Sequence, residues 1–234
     1  MANKIIVVDF SGTLIKPFVA EKANLKRYSI LGIPKPSKSA HKRMHGSKKH
    51  YDVIKERISK DYGITDGMKI SYIQNFGKEI MLSGKDVKTI IMTDLFRDAM
   101  YSVAKKYSGK IYAEGMLDAL KAIRSRGYRL AIVSGIRKDI ITGMLAITRC
   151  PVKFDYIYAQ DPVLSMDDNK MLDNELARIG KITYIIGDKL DDLLPAKKLK
   201  AKSIFVRWGH PRGGEEAFAD FSISKASELG KIIK

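Results

Sequence analysis

The pattern of apolar and polar positions opens on Ile5-Ile6-Val7-Val8, four consecutive β-branched residues with no polar position between them. Such a run predicts a strand buried on both faces, as parallel sheets use. It stops at Asp9, and Phe10-Ser11-Gly12-Thr13 follows as a turn. Similar runs recur after residue 112. Leu130–Val133 ends at Ser134-Gly135, Tyr156–Tyr158 is a third strand, Ile182–Ile186 ends at Gly187-Asp188, and Ser203–Val206 is a fifth. Between them the period changes to that of a helix. Leu117, Leu120 and Ile123 share one face after Glu114-Gly115, and Gly127 stops it. Strands alternating with helical patterns predict an α/β fold with a doubly wound parallel sheet.

The region between the first two strands follows another rule. Leu31–Ser37 reads as a loop, set by two prolines and a glycine. Val53, Ile54 and Ile58 form a helical stripe, and Ile70, Ile73 and Ile80 repeat with helical spacing across Gly77. Asp94 is placed to cap a helix carrying Leu95, Ala99 and Val103. The expectation is an all-helical domain over residues 15–112, inserted into a core made of residues 1–14 and 113–234.

A chain of 234 residues with 45% apolar positions can bury a sizeable core. No apolar run approaches the roughly 18 residues of a membrane span, so no membrane partner is expected. Cys150 is the single cysteine, which excludes an internal disulfide. With no signal-peptide pattern before the first strand, a cytoplasmic location is expected. The formal charge is +17, and it is uneven. Residues 15–112 hold 21 Lys and Arg against 9 Asp and Glu, and Lys22–Tyr51 has nine cations, no acid and three of the four histidines. A patch of this kind attracts polyanions. Steering of a small phosphorylated substrate is the use we favour over nucleic-acid binding. The pattern carries no signal for an oligomeric state.

The chemistry sits where strands end. In an open α/β sheet ligands bind beyond the carboxyl ends of the strands, and there Asp9, Asp188 and Asp192 would converge. Three carboxylates make a hard oxygen site suited to Mg²⁺. Ser134 can donate to a phosphate oxygen, and the Ser11-Gly12-Thr13 turn offers backbone N–H groups to an anion. Asp191 and Asp192 both stand where a helix N-cap belongs, and one of them is expected to cap. His41 and His45, four apart, lack a neighbouring acid or cysteine and read as solvated.

These residues resemble the haloacid dehalogenase superfamily, in its phosphoglycolate-phosphatase-like branch. The likeness covers roughly residues 4–15 and 113–225, and the insert by position. Asp9-Phe10-Ser11-Gly12-Thr13 matches the first motif except at one place, Ser134 the second, Lys170 the third, and Gly187-Asp188 with Asp192 the fourth. Val206-Arg207-Trp208-Gly209, with Ala219-Asp220 beyond it, looks like the tail of that branch. The resemblance implies a Rossmann-like core with a helical cap, and a Mg²⁺-dependent phosphatase working through an aspartyl phosphate on Asp9. It implies that Asp9, Asp188, Asp192 and the carbonyl of Ser11 surround the metal, and that Thr13, Ser134 with Gly135, and Lys170 bind the phosphoryl group.

The departure is Ser11, where phosphatases of the family usually carry a second Asp as general acid and base. Serine has no useful pKa near neutrality for that role. Members without an acid there include phosphonoacetaldehyde hydrolases, which use a cap lysine as a Schiff base. Met44-His45-Gly46-Ser47-Lys48-Lys49-His50 is similar to that enzyme's cap and makes Lys49 the candidate for a C–P-cleaving alternative. A catalytically impaired member that binds nucleic acid or another polyanion is the non-enzymatic alternative.

Overall fold

The structure, a computed structural model, describes residues 4–37, 48–73, 79–160, 180–210 and 213–234. The chain divides into two compact units, Met1–Val19 with Ala104–Lys234, and Ala20–Val103.

The larger unit is built on a six-stranded sheet. Its strands are β1 (Lys4–Asp9), β4 (Arg129–Arg137), β5 (Tyr156–Gln160), β6 (Lys181–Gly187), β7 (Lys202–Val206) and β8 (Phe221–Ile223), in the order β5-β4-β1-β6-β7-β8. Every pairing in it is parallel. The β-branched runs explain the order. Ile5, Ile6, Val8 and Ile186 are fully buried and Val7 nearly so, which only central strands with both faces covered permit. Helices of this unit return the chain between strands: Met116–Ser125, Lys138–Ile147 and Leu190–Lys198. The first buries Leu120 and Ile123 as the spacing predicts, but its third buried residue is Met116, and Leu117, expected on that face, is only half-buried.

The chain leaves β1 for β4 on one side and later returns to β6 on the other. The β1/β6 pair is therefore the point where strand order reverses, the usual place for a ligand crevice.

Two boundaries differ from expectation. β4 does not end at Ser134; it bulges there and pairs again at Arg137 with Gln160. The Ser134 hydroxyl oxygen accepts the N–H of Ile136 at 3.2 Å, which satisfies the backbone through the bulge. β8 has no apolar run long enough to announce it. It is fastened instead by Asp220, whose Oδ2 accepts the N–H of Ser203 at 2.9 Å and the Ser203 hydroxyl at 3.1 Å.

The smaller unit is mostly helical but not all-helical. Phe18–Ile30, Lys48–Tyr62 and Gly84–Tyr107 are helices, the first starting and the last ending with residues assigned to the larger unit. Leu31, Ile54, Ile58 and Met92 form their common core. The Ile70, Ile73 and Ile80 spacing belongs to an antiparallel hairpin, β2 (Lys69–Ile73) with β3 (Glu79–Ser83). Isoleucine favours strands, and three positions are too few to separate the two periods. Asp94 lies inside the last helix, not at its start. The cap is Ser83 with Asp86: Ser83 Oγ accepts the N–H of Asp86 at 3.2 Å, and Asp86 Oδ2 accepts the N–H of Ser83 at 3.2 Å. Among the described residues no helix is long and apolar enough to cross a membrane.

Candidate active site

Three carboxylates meet at the carboxyl edge of β1 and β6. Asp9 is the last residue of β1, and Asp188 follows the last residue of β6. Asp192 lies in the first turn of the helix Leu190–Lys198. One oxygen from each lies within 4.8 Å of the others. Asp188 is fully buried and Asp9 is 9% exposed. Asp191, in the same helical turn, is exposed.

Backbone geometry lets acids approach one another. Asp192 Oδ2 accepts the N–H of Lys189 at 3.0 Å and that of Asp188 at 3.2 Å, so Asp192, at the third position of the helix, reaches back to the N–H of Lys189, which holds the N-cap. A Cβ added at Gly187 would lie 2.3 Å from Cβ of Asp192. One added at Gly12, where φ is +95°, would lie 2.3 Å from Asp188 Oδ2. One at Gly209 would lie 2.1 Å from Asp188 Cβ. Side chains at these three positions would occupy the space that the carboxylates use.

Thr13 is fully buried, and its hydroxyl points to Asp188 Oδ1 at 3.5 Å. The turn that carries it is held by Leu14 N–H to Asp9 O at 3.2 Å, Ile15 N–H to Phe10 O at 2.9 Å and Gly12 N–H to Ile15 O at 2.9 Å. Trp208 Nε1–H donates to Thr13 O at 3.1 Å. The N–H of His210 donates to Asp188 Oδ2 at 2.5 Å, and the His210 ring Nδ1 stands 3.8 Å from the same oxygen.

The electrostatics follow from this crowding. Burial, then the charges of Asp192 and Asp188, push the Asp9 carboxyl well above the usual carboxylate range; Lys189 and the nearby Thr13 hydroxyl pull the other way. Burial, then Asp188, raises Asp192 to about 6, against Lys189 and the two backbone N–H groups. Asp9 Oδ2 is buried and has no hydrogen-bond partner. Buried carboxylates in contact are costly unless a cation compensates them. An unpartnered oxygen in an all-oxygen set fits a hard divalent ion such as Mg²⁺.

The predicted residues divide into three groups. Asp9, Thr13, Asp188 and Asp192 are brought together. Ser11, partly buried, lies in the same turn. Ser134 is buried on the neighbouring strand, one residue beyond the Asp9–Val133 register pair, and Gly135 beside it is exposed. Lys170, His41 and His45 lie outside the described residues, and of Lys49 only the backbone, in the helix Lys48–Tyr62, is described. Sequence reasoning missed His210. No local signal marks a residue that acts through its backbone N–H, although a glycine three residues after a buried strand, at Gly209, is the kind of feature that could have pointed there.

The family model described as haloacid dehalogenase-like hydrolase matches residues 37–206, well over half of the chain. The chain belongs to the haloacid dehalogenase-like hydrolases. Two curated relatives are similar to it. Phosphoglycolate phosphatase from Aquifex aeolicus is 23% identical over 181 residues, covering 71% of this chain and 83% of that protein. Pyrophosphatase PpaX from Bacillus pumilus is 28% identical over 128 residues, covering 51% and 58%. Among solved structures, the HAD hydrolase YfnB from Bacillus subtilis bound to magnesium superposes with a TM-score of 0.63 at 16% identity, covering 100% of this chain and 99% of that one. That likeness shows the haloacid dehalogenase-like fold. Family membership makes the chain a hydrolase, of the phosphatase kind that the curated relatives represent.

Proposed function

We propose that this hydrolase is a Mg²⁺-dependent phosphatase of small phosphorylated metabolites, with Asp9 as the nucleophile. The observation that carries the reading is the trio Asp9, Asp188 and Asp192, with Asp9 Oδ2 buried and unpartnered. In this reading Asp9, Asp188, Asp192 and the carbonyl of Ser11 hold the ion. Its chemistry is to screen the nucleophile from the phosphate charge so that two anions can approach.

Asp9 then forms a bond from carboxylate oxygen to phosphorus as the ester oxygen leaves, giving an aspartyl phosphate and an alkoxide that takes its proton from solvent. Water attacks that phosphorus, releases phosphate and restores the carboxylate. Thr13 and the turn N–H groups orient the phosphoryl oxygens. The Ser134 hydroxyl accepts from Ile136, which leaves its proton free to donate to a phosphate oxygen. Lys170 would neutralise charge on the transferring group. The insert over residues 15–112 serves as the cap that selects substrate, and its cations steer anions toward the site.

The test is a screen of phosphorylated metabolites with and without Mg²⁺, repeated with Asp9→Asn. Turnover that needs Mg²⁺ and falls below detection in the variant, with the fold intact, is expected. Because neutralising Asp9 relieves repulsion by Asp188 and Asp192, metal-free Asp9→Asn should be no less stable than wild type near neutral pH. Full activity in the variant would exclude the covalent route.

A further inference from the structure

All strands of the sheet run parallel, so all begin at the edge opposite the carboxylates. Four neighbours in the sheet begin with a cation: Arg129 on β4, Lys4 on β1, Lys181 on β6 and Lys202 on β7. In register, Lys4 faces Lys181 on one face of the sheet, Arg129 pairs with Ile5 and so leaves the other face, and Lys202 pairs with Tyr184 further along β6; the four share the edge and not one face. At strand spacing the row spans roughly 15 Å. The helix Leu190–Lys198 ends at the same edge, and Lys197 and Lys200 there are exposed.

Cations at the end of a helix have an ordinary explanation in its dipole. Strand starts offer none, because sheets have little net dipole. Like charges directly opposite in a sheet destabilise it. The acids close to the row attend to its ends. Arg129 lies 3.9 Å from Asp155, which is bound more closely by Arg124, and Lys202 pairs with Asp220 at 2.6 Å. Lys4 and Lys181 in the middle, with Lys197 and Lys200, have no carboxylate partner among the described residues. Two rings hold the row in place: Lys4 lies over Tyr128 at 5.6 Å and Arg129 over Tyr156 at 4.5 Å.

We propose that this row binds the phosphodiester backbone of a nucleic-acid strand, on the edge of the core unit opposite the carboxylates. At one phosphate per cation, the row can meet up to about four phosphates. An anionic bilayer would call for apolar anchors beside the cations. Among the described residues, the exposed apolar side chain that a strand of this sheet carries at its start is Phe221, on β8, and one ring suits base stacking better than membrane insertion.

The test uses the full chain and a fluorescein-labelled single-stranded RNA of about 20 nucleotides, read by anisotropy from about 50 to 200 mM salt. Four phosphate contacts predict a loss of affinity of roughly fiftyfold across that range. Lys4→Glu with Lys181→Glu should weaken binding at least tenfold and flatten the salt dependence. The same exchange at Lys60 and Lys69, exposed in the other unit, should change it less than threefold. Circular dichroism checks folding, and Lys4→Gln with Lys181→Gln replaces the reversal if that variant does not fold, with the same direction expected. Equal losses in the row and control pairs would reduce the effect to overall charge and overturn the proposal. So would the absence of salt-sensitive RNA binding, or binding to phosphatidylserine vesicles without binding to RNA. None of these outcomes bears on the Mg²⁺-dependent phosphatase reading, which rests on the opposite edge.

Discussion

Oδ2 of Asp188 receives the backbone N–H of His210 at 2.5 Å, and the glycine at 209 is what lets the chain come so near. The loop after β7 thereby fixes a carboxylate that belongs to the loop after β6. The site is framed by backbone as much as by side chains.

Replacing that glycine tests the frame. Gly209→Ala would set a methyl 2.1 Å from Asp188 Cβ and 2.4 Å from its Oδ2, so the loop or the carboxylate must move. Overpacking of this kind costs about 1–3 kcal/mol. We expect a fall in turnover of at least tenfold and weaker stabilisation by Mg²⁺, measured by activity and by thermal shift. Wild-type values in both would show that the loop yields without disturbing Asp188.

The raised carboxyls predict a particular pH dependence. Asp192 sits at about 6 in the folded chain, and Asp9 is displaced in the same direction, while an unfolded Asp titrates near about 3.9. The folded site therefore binds protons that the unfolded chain has released between about pH 4 and 6. Metal-free stability from these groups falls as pH rises through that window and stays low above it. Mg²⁺ should then raise Tm more at about pH 7.5 than at about pH 5, with chelated protein as reference. Equal shifts at both would mean that these carboxylates are not the binding groups.

Ser11 sets a limit on the leaving group. An alkyl phosphate expels a poor alkoxide that wants a proton, and a positioned acid supplies about 10²–10⁴-fold. Wild type should favour aryl and acyl phosphates, and a phosphoenzyme on Asp9 should accumulate. Ser11→Asp should raise turnover of an alkyl monoester by about 10²-fold and that of an aryl ester much less. Unchanged or lower rates on both would assign the proton to another group, and borohydride trapping at Lys49 with phosphonoacetaldehyde would be the next measurement.

Asp155 should matter for stability and not for turnover. Its carboxylate accepts Arg124 Nη1 and Nη2 at 2.6 and 3.3 Å and the N–H of Leu130 at 2.9 Å, tying a helix end to the start of β4. Burial alone would raise Asp155, but Arg124, the Leu130 N–H and Arg129 outweigh it and hold it below the usual range. The stability it contributes is present above its unfolded pKa and is lost as pH falls through the folded one. Asp155→Asn should cost about 1–3 kcal/mol near neutrality and lessen the acid sensitivity of urea unfolding, with turnover per folded molecule unchanged. A variant that unfolds in acid like wild type would remove the pair from the account.

The sheet was legible because a strand covered on both faces cannot alternate, and Ile5–Val8 and Ile182–Ile186 do not. The carboxylate cluster was legible because Asp188 ends a strand and Asp192 lies one helical turn on. The hairpin Lys69–Ser83 was not, since three isoleucines fit either period and only cross-strand pairing decides between them. Asp94 misled because an acid before an apolar stripe looks like a cap, while Ser83 and Asp86 had already started that helix ten residues earlier. Gly209 and His210 act through missing atoms and a backbone N–H, which leave no pattern in side-chain polarity.

The indole that donates to Thr13 O at 3.1 Å belongs to Trp208, the single tryptophan of the chain. Intrinsic fluorescence of the unlabelled protein thus has one emitter excitable to the red of the tyrosines, and it is fastened to the turn that follows Asp9. Quenching or a spectral shift on addition of Mg²⁺, phosphate or a substrate would report events at that turn directly, in the wild-type sequence.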